Sequence, residues 1–145
     1  MRLLLTIITL FTLTFLPSFA KKDKQVKVKD TKITVNNMYA FGYAVSFADS
    51  TIYLTEIHKM PEVQIYKKTK FLERRGEYSA QLKHHFDSIG KPHLTCAIIF
   101  DQSEAKLRQK FVKLTEKVQK QKRKTIKAVP AQEFTFKPLV QYEDE

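Results

Sequence analysis

Tyr39-Ala-Phe-Gly-Tyr-Ala-Val-Ser-Phe-Ala-Asp-Ser-Thr-Ile-Tyr-Leu-Thr-Glu-Ile57 is the stretch whose reading decides the fold. Its first half alternates large with small, Tyr39, Phe41, Tyr43, Val45 and Phe47 against Ala40, Gly42, Ala44 and Ser46. Successive strand side chains point to opposite faces, so one face is bulky and the other nearly bare. A turn at Asp49-Ser50, or a loop over 48–51 with the same facing, sets Phe47 opposite Ile52, Val45 opposite Leu54 and Tyr43 opposite Glu56. The pattern predicts a hairpin whose bulky face joins a core containing Val45, Phe47, Leu54, Ile98, Phe111 and Leu114. The small face reads either as a place where another backbone approaches closely or as the solvated side, the commoner arrangement.

Toward the amino terminus, Arg2 precedes an apolar run over 3–16, followed by Pro17-Ser18-Phe19-Ala20 and Lys21-Lys22. A charged start, a short apolar segment and small residues before a cut point describe a cleaved secretory signal. Residues 1–20 are therefore expected to be removed and the product exported, periplasmic or secreted. No later stretch approaches the roughly 20 apolar residues of a membrane-spanning helix. Residues 21–37, rich in lysine and without helical period, read as a flexible basic arm, 33–37 leading toward the sheet. One domain is expected over 38–138, with an acidic tail over 139–145. The single cysteine, Cys96, makes no internal disulfide and has apolar neighbours, so it is expected to be buried and unreactive.

Toward the carboxyl terminus, 58–61 closes the hairpin and 63–72 is a connection that packs, either without regular structure or with a short extra strand. Tyr78, Leu82, His85, Phe86 and Ile89 recur at steps of three and four, predicting a helix over 77–89 that Gly90-Lys91-Pro92 ends. Residues 93–100 form a nearly unbroken apolar strand with Leu94, Cys96, Ile98 and Phe100 on one face. Asp101 or Ser103 then caps a second helix running to about Lys124, its buried stripe Leu107, Phe111, Leu114 and Val118. Val129-Pro130 breaks the chain, and 133–137 alternates as a last strand carrying Phe134 and Phe136. The expected fold class is α+β: a two-layer sandwich, a four-stranded mixed sheet in chain order strand-strand-helix-strand-helix-strand, with both helices on one face.

Phe41-Gly42-Tyr43-Ala44 with Ser46-Phe47, the turn Asp49-Ser50-Thr51, and the later Gly90-Lys91-Pro92 and Thr95-Cys96 resemble a group of small, uncharacterised exported proteins of Bacteroides-type bacteria. The resemblance covers roughly 39–136. It implies a bacterial envelope setting and brings no activity, substrate or catalytic residue.

Candidate chemistry is sparse. His84 and His85 are adjacent on a helix and diverge by about 100 degrees, so they do not share an ion readily. Glu56 and Asp87 each lack a second group placed for acid–base work. There is no Gly-rich phosphate loop, no Gly-x-Ser-x-Gly turn and no Cys-x-x-Cys pair. No cofactor or metal is expected, and the chain reads as non-enzymatic. The rival is a small secreted hydrolase or metal-dependent enzyme, which requires His85, His93 or Glu56 to converge in a cleft.

Charge carries the positive signal. The chain holds 26 Lys and Arg against 15 Asp and Glu, a formal net charge of +11. Residues 103–127 alone contain eight lysines and two arginines against two glutamates. Lys106, Lys110, Lys113, Lys117, Lys120 and Lys124 are spaced four, three, four, three and four, one continuous ridge on the second helix. A lysine ridge is ordinarily a solvated face, and its functional reading is recognition of a polyanion. Nucleic acid favours arginine and exposed aromatics, which disfavours it here. An acidic glycan, an anionic lipid head group or another envelope component is the expected partner.

Overall fold

The computed structural model describes residues 30–48 and 50–139. The expected signal segment, positions 21–29 of the arm and the tail beyond Leu139 lie outside the described residues. β2 (Tyr39–Val45) is the hub. On one edge it pairs antiparallel with β6 (Thr95–Asp101), from Tyr39 opposite Asp101 to Val45 opposite Thr95. On the other edge β3 (Thr51–Thr55) and β4 (His58–Lys59) follow one another. β7 (Thr125–Val129) adds parallel to β3, giving a mixed sheet. A separate ribbon joins β1 (Lys32–Val35) antiparallel to β5 (Val63–Tyr66). The helices are α1 (Arg75–Ser88) and α2 (Glu104–Gln119).

The α+β class stands, with five strands in the main sheet rather than four. The extra strand arises at a bulge: Tyr43 faces Leu54 while Ala40 faces His58, so two residues of β2 oppose three of the partner. β3 and β4 are thus one edge interrupted at Glu56-Ile57. β1 lies within the stretch expected to be a flexible arm. There, Asp30 accepts from the N–H groups of Lys68 and Thr69, and Lys32 pairs with Glu73.

The two helices occupy opposite faces, not one. Tyr78, Leu82 and Phe86 of α1 pack with Ala40, Ala44, Tyr53 and Ile98. Leu107 and Val118 of α2, with Phe111 and Leu114, pack on Phe41, Ile52 and Leu54. The topology explains this: the β3-α1-β6 crossover travels one way along the sheet and β6-α2-β7 travels back. Right-handed crossovers in opposite directions place their helices on opposite faces. The small face of β2 is consequently covered by α1, and a Cβ built on Gly42 would sit 2.7 Å from Leu82 Cδ2.

The hairpin register is shifted by two. Tyr43 faces Leu54 and Val45 faces Ile52, so each bulky residue keeps its face while the loop widens to 46–50. Phe47 leaves the strand and is 91% exposed, and Ile98 belongs to the α1 side, so the expected common core divides into two. Ser103 caps α2, accepting from the Lys106 N–H, and Asp101 in turn accepts from the Ser103 N–H.

α2 ends earlier than expected because 119–124 contains no apolar residue to hold another turn on the sheet. β7 starts where Ile126 can pack again, opposite Ile52. The expected last strand at 133–137 is absent, although Phe134 and Phe136 are buried as its alternation requires. Side chains take the place of a strand partner: the Phe136 N–H donates to His58 Nε2. The Gln81 amide brackets Lys137, accepting from its N–H at 2.8 Å and donating to its carbonyl at 3.1 Å.

Candidate functional site

The lysine ridge is built by the docking of α2. Because Leu107 and Val118 point into the sheet, Lys106, Lys110, Lys113 and Lys117 emerge roughly a quarter-turn away and are exposed, and Lys120 continues them at the C-cap. Lys124 does not belong to this helical row: it is half-buried in the turn before β7, after α2 has ended. Lys110 is already engaged, its Nζ lying 2.7 Å from Asp101 Oδ2. Burial acts to raise the Asp101 carboxyl, and the Lys110 contact and Ser103 N–H overcome it, so its pKa falls below the ordinary value. Among the described residues, Lys106, Lys113, Lys117 and Lys120 form no salt bridge. Lys117 and Lys120 also offset the negative end of the α2 dipole.

Two clefts hold other polar groups. One, of ≈ 620 Å³, lies at the amino-terminal end of the ridge and is lined by Lys70, Phe71, Asp101, Ser103, Lys106 and Lys110. The other, of ≈ 730 Å³, separates α1 from the 131–138 strap and contains His84, His85, Ser88 and Glu133. His85 Nε2 is 3.4 Å from Glu133 Oε1, and its ring lies against Phe86 and Phe134.

Two of the three residues on which the enzyme reading depends are engaged with different partners. His85 faces Glu133, and Glu56 Oε2 accepts from the Ala131 N–H at 3.3 Å. His93 stands exposed with φ 66° ahead of β6. His58, at the opposite end of the sheet, has both ring nitrogens on backbone, Nδ1 toward the Glu56 carbonyl and Nε2 toward the Phe136 N–H. Burial pushes its pKa down, and the Glu56 carbonyl only partly opposes this. No group of three His, Cys, Asp or Glu able to hold a metal occurs among the described residues. Cys96 is half-buried; burial pushes its thiol up to about 11.

One surface feature went unpredicted. Phe47, expected in the core, is exposed just after β2, at the end of the sheet where the Thr125 N–H donates to the Ser50 carbonyl. Its position two residues from Asp49-Ser50 was the available signal, for a five-residue loop rather than a tight turn puts it outside the strand.

No helix among the described residues is long and apolar enough to cross a membrane. No protein-family model, curated protein or solved structure matches the chain.

Proposed function

We propose that this chain is an exported binding module of the bacterial envelope that engages a polyanion, an acidic glycan or anionic lipid head groups, through the lysine face of α2. The observation that carries the reading is the exposed, fixed row Lys106, Lys113, Lys117 and Lys120, held at helical spacing by the burial of Leu107 and Val118. A helix spaces its cations rigidly, so an extended polyanion meets several at once without ordering a flexible segment. Lys110 contributes less because Asp101 neutralises it. The signal-like amino terminus and the resemblance to exported Bacteroides-type proteins support the envelope setting.

Retention on immobilised heparin in a salt gradient tests the reading. Joint reversal of Lys106, Lys113 and Lys117 to glutamate should bring elution to clearly lower salt. Elution of this variant together with the wild-type protein would reject it.

A further inference from the structure

The carboxyl-terminal end of the ridge and an exposed aromatic ring lie at the same end of the sheet. β3 begins at Thr51 opposite Thr125, and the Thr125 N–H donates 2.9 Å to the Ser50 carbonyl, so the 46–50 loop and the 120–124 turn close the same end of the sheet. From the first comes Phe47, 91% exposed, on a loop shaped in part by Ser46, whose Oγ accepts from the Ala48 N–H. From the second come the exposed Lys120, Lys122 and Arg123 and the half-buried Lys124, and the sequence from 117 to 132 contains no Asp or Glu. A single exposed phenylalanine is unremarkable by itself. Four cations closing the same end of the sheet make this one different.

We infer that this end of the molecule is a membrane-contact tip, at which Phe47 enters the interfacial layer of an anionic lipid surface while the 120–124 cations engage the head groups. The inference rests on the polyanion reading of α2 and narrows its partner to lipid. An apolar ring projecting from a loop suits the boundary between head groups and acyl chains, where aromatic side chains concentrate. Lys and Arg close to an anionic leaflet are attracted within a Debye length and hold such a ring at the surface. A soluble glycan offers the cations a partner but gives Phe47 no apolar phase to enter, so the exposed ring favours lipid.

The chain contains no tryptophan, so Phe47→Trp in the exported form, without residues 1–20, places its only indole at the tip. With phosphatidylcholine vesicles containing phosphatidylglycerol, at low salt, the indole emission should shift to the blue and become shielded from acrylamide. Pure phosphatidylcholine should give neither change. Adding Lys122→Glu and Arg123→Glu should abolish the shift, and Phe47→Ser should weaken vesicle binding about tenfold while leaving heparin elution unchanged. If the protein co-sediments with anionic vesicles while the indole stays water-exposed, or if Phe47→Ser binds vesicles like wild type, the tip is overturned. Retention on heparin without any vesicle binding also overturns the tip and leaves the α2 reading in place. Failure to bind either overturns both.

Discussion

The N–H of Gly42 donates to the hydroxyl of Thr55 across 2.7 Å, a side chain standing in for a ladder carbonyl at the bulge between β2 and its β3–β4 edge. The hydroxyl passes its own proton toward the Glu56 carbonyl, 3.2 Å away, and Thr55 is 1% exposed. Thr55→Val keeps the shape and strands a buried donor, which should cost about 1–3 kcal/mol in denaturant unfolding. Thr55→Ser should recover most of that loss.

Across the same glycine, Leu82 fills the space that a side chain would need. Gly42→Ala is expected to destabilise by about 1–3 kcal/mol through overpacking. Leu82→Ala removes a fully buried side chain and should cost about 2–5 kcal/mol. In the double variant the new methyl occupies part of the vacated volume. The two costs should therefore fail to add, by 0.5 kcal/mol or more in a double-mutant cycle, a coupling that distant sites do not show.

His58 links stability to pH. Its folded-state pKa lies below the ordinary 6.5, so between the two values the unfolded chain binds more protons and stability rises with pH. The contribution is present in full above about 6.5 and is lost as pH falls through the folded value. Protonation also removes the acceptor for the Phe136 N–H. Protection of that amide from hydrogen exchange, measured against its intrinsic rate at each pH, should fall on acidification before that of the β2–β6 amides. His58→Gln, which keeps a neutral acceptor, should flatten this dependence.

Cys96 should be a poor nucleophile in the folded protein. With its thiol pushed up to about 11, alkylation by iodoacetamide near pH 8 should be slower than in denaturant by about two orders of magnitude.

The faces of the strands were legible because side-chain direction follows a strict period of two, so a register error of two left Tyr43, Val45, Ile52 and Leu54 on their proper sides. The stripe of α2 was legible for the corresponding reason at 3.6 residues. Opposite helix faces were not, because they depend on strand order, which the periodicity of one segment does not encode. The strap was read correctly in burial and wrongly in backbone state, since nothing local to Phe134 and Phe136 announces that Gln81 and His58 hold 136–137. Of the candidate site, the ridge from Lys106 to Lys120 was readable. The loss of Lys124 and the engagement of Lys110 by Asp101 depend on where α2 ends and on how β6 enters it.

The salt dependence of polyanion binding tests the proposed function of α2 most directly, with two variants of equal net charge compared. Lys113→Glu with Lys117→Glu alters the ridge. Lys127→Glu with Lys137→Glu alters the α1 side, where Lys127 shares the face of Val129 and Lys137 is bracketed by Gln81. The logarithm of heparin affinity against the logarithm of salt should have a slope smaller by roughly one per lysine for the ridge variant. The slope of the second variant should stay near that of the wild-type protein. Equal loss of slope in both variants, or none in either, would contradict the claim that α2 is the binding face.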